Sequence, residues 1–431
     1  MSPTLPRLPL APDPLRRIRV PRDLDAITTI AEEHDPADAG MTSENVERIW
    51  EAARSLYRSG VHPAITVCVR RNGVVVLDRA IGHARGNGPK DDRDTEKVLA
   101  TPDTPFVTYS ISKAITAFVI HQLDERGVLH IGDPVAEYIP AYAKNGKESI
   151  TIAQVLAHRS GVPNLDRTAF DLDRLVDDAF VLELLCDAKP SIRPGRMLAY
   201  HATSGGFILG AVVKAVTGKD IRQVLHEGFL APLNFRWMNY GVAEADLEAV
   251  ARDELTGPAM FPPLSTLLTR ALGLPLDKLV KMTIDPRFVT GIVPAANVVS
   301  TANELSRYFE VMRRGGELDG VRVLEPRTIR RALTEQSHME VDLSLGFPTR
   351  FALGLMLGAK RVSLYGFDTD EAFGHLGFTN MMGWADPERA LSAAVMTNGK
   401  PALYPEFHRF YGLLSRITRE SPKAEPGDRA F

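Results

Sequence analysis

Cysteine is almost missing from this 431-residue chain, which has only Cys68 and Cys186. Neither lies in a metal or redox spacing, so a disulfide-built scaffold is not expected, and both read as small buried hydrophobes. Long apolar runs are absent too. Nothing approaches the roughly 18 consecutive apolar residues of a membrane span. Charge of one sign is not in excess: 51 basic and 54 acidic residues give a formal net charge of -3. That balance offers no electrostatic pull toward nucleic acid or an anionic membrane. The N-terminal stretch "MSPTLPRLPLAPDPLRRIRVPRDLDAI" is proline-rich and lacks the apolar core of a secretory signal. Its Arg16-Arg17 pair fits a twin-arginine signal, but the residues that follow are too charged for one. A cytoplasmic location is expected. Several catalytic signatures are also lacking. No serine sits in G-x-S-x-G, and there is neither a Walker loop nor G-x-G-x-x-G. His226-Glu227 opens an H-E-x-x-H zinc motif that fails at Leu230.

What is present is an ordinary globular composition, 44% hydrophobic and 24% charged, long enough for two or three domains. Residues 1–40 read as an N-terminal extension. "TSENVERIWEAARSLYRSG" then predicts a helix, with Val46, Ile49, Trp50, Ala53 and Tyr57 at helical spacing, Thr42 or Ser43 as cap and Gly60 as stop. Asn72-Gly73 lies between two β-rich runs and predicts a type I′ hairpin. Residues 84–104 read as a polar loop. Helical patterns dominate from Thr108 to about residue 230. Residues 255–282 are apolar and irregular; a core helix and a greasy substrate wall or lid both remain open for them. A helix over 303–314 and a tight hairpin in "RRGGELDGVRVL" follow. Late strands are expected in "RFALGLMLG", "VSLYG", "TNMMGWA" and "ALSAAVMTN", the last two joined at Asp386-Pro387-Glu388, with a final amphipathic helix in "YPEFHRFYGLLSRIT". Strand-rich ends around a helical middle predict an α+β architecture, an antiparallel sheet built from both chain ends with an inserted helical domain. The expected boundaries are 41–107 with 288–420 for the sheet domain, 108–287 for the mainly helical domain and 421–431 for a C-terminal tail.

Within "FVTYSISKAITAF", Ser110 and Lys113 form the one S-x-x-K in the chain. A chain this long yields about one such match by chance, so its context decides. At helical spacing the two residues share a face, and the amine reaches the hydroxyl. Among Phe106, Ile111, Ile115 and Phe118 the lysine would be desolvated, which lowers its pKa and suits it to act as a base.

The stretch resembles the first motif of the serine β-lactamase-like family, which spans class C β-lactamases, penicillin-binding proteins, D-amino peptidases and a branch of carboxylesterases. Four further segments match in order: "LDERGVLHIGDPVAEYIP", "ITIAQVLAHRSGVPNL", "RPGRMLAYHATSGGFILGAVVKAVTG" and "FGHLGFTNMMGWADPERALSAAVMTN". The resemblance covers residues from about 45 to about 415. It implies a β-lactamase/transpeptidase-like fold with Ser110 as nucleophile, with Lys113, Tyr200 or the two together as the base that takes its proton, and with Tyr200 as the acid that protonates the leaving alcohol. His375 would position Tyr200 or polarise the site. Backbone N–H groups of Ser110 and Phe378 would form the oxyanion hole, with His201 and Gly377 as candidate substrate contacts; a buried, hydrogen-bonded ring is equally open for His201. Neither metal nor cofactor is implied.

Two departures narrow the expected substrate. The second motif, Tyr-x-Asn in β-lactamases, is Tyr200-His201-Ala202 here, and Ala202 lacks the amide that contacts a β-lactam side chain. The third, usually Lys-Thr-Gly, is His375-Leu376-Gly377, a poorer anchor for the β-lactam carboxylate. The remaining pattern is similar to the esterase branch. The expectation is a serine hydrolase of small- to medium-chain carboxylic esters, with a small-molecule ester as its partner and no preference as to oligomeric state. β-Lactamase or D-amino peptidase activity, acyl transfer to an alcohol or amine, and a non-catalytic scaffold are the alternatives. His158 reads as a helix-end histidine with a structural hydrogen bond.

Overall fold

The computed structural model describes residues 13–166, 171–263, 265–266, 268–269, 273–401 and 407–425. Its main element is a ten-stranded sheet. The strands are β1 (Thr28–Ile30), β2 (Ala64–Arg71), β3 (Val74–Arg85), β4 (Val98–Leu99), β5 (Ser337–Val341), β6 (Pro348–Phe351), β7 (Met356–Leu357), β8 (Phe373–Gly377), β9 (Met381–Asp386) and β10 (Leu391–Thr397). They run in the order β1-β3-β2-β10-β9-β8-β7-β6-β5, all antiparallel, with β4 on β3. The β2–β10 pairing, with Cys68 opposite Ala394, joins the two chain ends. Asn72 and Gly73 both adopt positive φ in the β2–β3 turn, the conformation a type I′ turn requires.

Alternation along the strands sorts side chains between two cores. Ile65, Val67, Val69, Leu391, Ala393 and Val395 face one layer with Trp50 of helix α1 (Ser43–Tyr57) and Leu413 and Ile417 of α5 (Phe407–Glu420). Cys68, Ala394 and Met396 face the other, with α2 (Ser112–Glu125), α3 (Ser204–Thr217) and α4 (Ala302–Arg313). Helix α1 starts at a reciprocal Thr42/Asn45 capping box and buries the apolar stripe expected of it.

Helix α2 is buried on nearly every side. Polar groups on it bond across the core: His121 Nε2 contacts the Leu353 carbonyl at 3.0 Å, and Gln122 donates to the Gly228 and Val323 carbonyls. A three-stranded sheet of Phe106–Val107, Val298–Ser300 and Asn239–Tyr240 fixes the approach to this helix.

Some expectations change. "RFALGLMLG" is two strands, because the chain turns at Ala352–Leu355. Gly354 (φ +96°) makes that turn, and a Cβ there would lie 2.2 Å from Ala117 Cβ. "VSLYG" forms a separate hairpin, Val362–Ser363 with Gly366–Phe367. The expected 84–104 loop contains β4. Of the 255–282 segment, Leu276–Thr283 is a helix that buries Val280 and Met282, and Phe261 is exposed. Residues 264, 267 and 270–272, like 1–12 and 426–431 of the two expected end segments, lie outside the described residues. Among the described residues no helix is long and apolar enough to cross a membrane.

Candidate active site

Ser110 lies in a single 3₁₀ turn, Tyr109–Ile111, immediately before α2. Thr108 anchors the turn, because its N–H and hydroxyl both donate to the Val298 carbonyl, at 2.8 and 2.9 Å. Ser112 Oγ accepts the Val298 N–H at 3.0 Å. With the turn held from both sides, Ser110 stays half-buried at the head of α2, its side chain toward Lys113.

Lys113 Nζ is 3.1 Å from Ser110 Oγ and donates to the Ala295 carbonyl at 3.0 Å. Its side chain is buried, and burial alone pushes its pKa down to about 7. The ordinary value is near 10.4, so this amine carries a lone pair at neutral pH in a large fraction of molecules. The Ala295 carbonyl orients it by taking one N–H. Tyr200 lies across the same space. Its ring centroid is 4.9 Å from Lys113 Nζ, and its hydroxyl lies near Ser110. Burial raises the Tyr200 pKa, and the nearby Ser110 hydroxyl partly opposes that. Asp342 fixes the backbone beneath it: its Oδ1 accepts the N–H groups of Tyr200, Ser344 and Leu345 at 3.0, 2.8 and 3.0 Å. That carboxylate escaped the sequence reading, since 142 residues separate it from its partner.

His375, on β8, donates from Nδ1 to the Leu376 carbonyl at 2.8 Å and packs its ring 6.2 Å from that of Tyr200. Burial, then the charge of Lys113, pushes its pKa down to about 3, so the ring is neutral at physiological pH. Its buried Nε2 has no protein hydrogen-bond partner. Gly377 comes so close to the Ser110 turn that a Cβ would sit 2.6 Å from the Thr108 carbonyl oxygen. Phe378 follows it, its ring 5.8 Å from that of Tyr109. The structure therefore brings Ser110, Lys113, Tyr200, His375, Gly377 and Phe378 together.

Of the two readings open for His201, the substrate contact is the one corrected: the residue is wholly buried behind Lys113 with both ring nitrogens engaged. Its Nδ1 is 3.1 Å from His158 Nδ1, and its Nε2 is 2.5 Å from Ser160 Oγ. The network reads as a neutral chain: Ser160 donates to His201 Nε2, and His158 Nδ1 accepts the His201 backbone N–H at 3.2 Å. Burial holds His201 near 3 and His158 well below its usual range. His158 also packs at a tilt against the Tyr200 ring, centroids 4.7 Å apart, so it supports that ring besides ending its own helix. Among the described residues no three His, Cys, Asp or Glu converge to hold a metal ion.

Gly377→Ala is expected to lower kcat on an ester substrate by about 10-fold or more and to lower the melting temperature, because β8 must retreat from the Thr108 carbonyl. A fully active, equally stable Gly377→Ala protein in steady-state and melting assays would show that this close approach is dispensable.

The profile of the family described as Beta-lactamase matches residues 43–414. The esterase/beta-lactamase LipL of Mycobacterium tuberculosis is 29% identical over 342 residues, covering 75% of this chain and 76% of that protein. Two crystal structures share the fold. A penicillin-binding protein homologue from Caulobacter crescentus superposes with a TM-score of 0.74 at 24% identity, covering 87% of this chain and 97% of the other. A family VIII carboxylesterase gives 0.72 at 22%, covering 88% and 98%. The chain belongs to the beta-lactamase family and is, by that membership, a serine hydrolase.

Proposed function

We propose that the protein hydrolyses carboxylic esters of small to medium acyl chains through an acyl-enzyme on Ser110. The observation that carries this reading is the buried Lys113 amine, 3.1 Å from Ser110 Oγ and pushed to about 7. Neutral Lys113 takes the hydroxyl proton as Ser110 Oγ bonds to the ester carbonyl carbon. The carbonyl π electrons move onto oxygen, and the N–H groups of Ser110 and Phe378 receive that oxyanion. Its collapse expels the alkoxide, which Tyr200, near Ser110 and beside Lys113, protonates. The Lys113 ammonium returns its proton to the Tyr200 phenolate. Water then attacks the acyl carbon as neutral Lys113 takes its proton, and collapse of the second tetrahedral intermediate breaks the bond to Ser110 Oγ, which receives that proton back as the carboxylic acid leaves. His375 packs against the Tyr200 ring and holds it in place.

An ester is favoured over a β-lactam on charge. A β-lactam carboxylate needs a cation at the third motif, and His375 is neutral and buried there. Ala202 supplies no amide at the second motif. LipL carries both activities in its name, so the two reactions need a direct contest. A fluorophosphonate is expected to add one phosphonyl group, found by peptide mass spectrometry on Ser110. Hydrolysis of p-nitrophenyl butyrate is expected to exceed that of a chromogenic cephalosporin by about 100-fold or more in kcat/KM. Label on another residue sinks the nucleophile assignment, and a faster cephalosporin reaction replaces the ester reading with the β-lactam one.

A further inference from the structure

Tyr109, the residue before Ser110, has a φ of +52°. An aromatic side chain disfavours this left-handed region, so the surrounding structure must hold it there. Three groups do so. The Tyr109 hydroxyl donates to the Asp253 carboxylate and lies 2.9 Å from Thr283 Oγ1. Asp253 Oδ1 in turn is 3.3 Å from Lys400 Nζ, and both side chains are buried, with the lysine fully so. Lys400 Nζ also sits 4.6 Å from the Tyr109 ring centroid. The lysine and carboxylate thus grip one tyrosine by its face and its hydroxyl.

The same lysine reaches the other half of the site. Nζ donates to the Thr397 carbonyl at 2.8 Å and contacts Met381 Sδ at 3.4 Å. Thr397 Oγ1 donates to the Asn380 carbonyl at 3.2 Å, inside the β8–β9 turn that carries Phe378. The Phe378 ring rests against Tyr109. Backbone bonds lock the frame: Lys400 N donates to the Glu254 carbonyl and Glu254 N to the Asn398 carbonyl, each at 2.8 Å. The cluster therefore ties the residue before one candidate oxyanion donor, Ser110 N–H, to the turn that supplies the other, Phe378 N–H.

We propose that Asp253 and Lys400 are positioning residues that set the oxyanion hole by clamping Tyr109 against the Phe378 turn. This rests on Ser110 being the nucleophile. A buried ion pair by itself contributes little net stability, because desolvation offsets the attraction, so its presence calls for a role in geometry. The two N–H donors act on the transition state far more than on bound substrate. Loosening them therefore lowers kcat and spares KM.

The test uses the full chain with p-nitrophenyl butyrate and, as transition-state mimic, phenylboronic acid. Tyr109→Phe removes only the hydroxyl tether. Asp253→Asn/Lys400→Met removes both buried charges together and strands neither. Either variant is expected to lower kcat by about 30- to 100-fold, keep KM within about 3-fold, and weaken boronate inhibition by the same factor as kcat. Both should retain a wild-type circular dichroism spectrum. If the double variant fails to fold, Tyr109→Phe decides. Wild-type kcat in the folded variants overturns the proposal, as does a kcat loss with unchanged boronate affinity. A Ser110→Ala control separates the two levels: an active control removes the proposed function and this inference with it, whereas an inactive control beside fully active cluster variants removes this inference alone.

Discussion

Ser110→Ala is expected to abolish ester turnover, lowering kcat on p-nitrophenyl butyrate by about 10⁴-fold or more with little change in thermal stability. Removing the nucleophile of a covalent catalyst costs on the order of 10⁶ in kcat, and what survives comes from binding and the oxyanion hole. The protein should tolerate the change. Ser110 is half-buried in a turn whose anchors are Thr108 and Ser112. Lys113 loses its 3.1 Å partner but keeps the Ala295 carbonyl, so its amine is not stranded. The variant is best read alongside an ester chain-length series, because loss across every chain length separates chemistry from substrate fit. Activity above about 1% of wild type, measured after a fluorophosphonate wash to remove contaminating esterases, would falsify the acyl-enzyme at Ser110.

Much of this arrangement was legible because it is local or ordered along the chain. Asn72-Gly73 specifies its turn through two positive φ angles, whatever lies around it. Helix α1 needs only its cap and its apolar stripe. Ser110 and Lys113 are three residues apart, so a helical turn alone brings them together. Tyr200 and His375 were reachable only through the ordered motifs, since no periodicity links residues so far apart. The supports of the site were not legible. Asp342 meets Tyr200, and Asp253 meets Tyr109, across more than 140 residues. A faint signal did exist for Lys400, a charge just after the buried run "AAVMT", where a lysine needs a partner to stay inside. His201 misled for the opposite reason. Adjacency to Tyr200 put it near the chemistry, but the backbone turned its ring away, toward His158 and Ser160.

The second large effect concerns Lys113 and is expected in the pH profile. kcat/KM should rise with unit slope on the acid side, turn over near pH 7 and stay level above it. The sign follows from the base. Only the neutral amine accepts the Ser110 proton, and burial places its pKa at about 7 instead of its ordinary value. At pH 6 about a tenth of the molecules hold the neutral amine, and at pH 8 about nine-tenths do. The neighbouring imidazoles do not produce this limb, because His375 and His201 are held near 3 and His158 also lies well below its usual range. Tyr200 does not either, because burial moves its phenol upward and away from neutral pH. Lys113→Met should lower kcat by about 10²–10⁴-fold and remove the limb from whatever activity remains. Tyr200→Phe should also lower kcat, through the lost proton to the leaving alcohol, while the limb near 7 persists. The two variants thereby divide the proton transfers between the two residues. A limb that survives in Lys113→Met and vanishes in Tyr200→Phe would move the base from the lysine to the tyrosine.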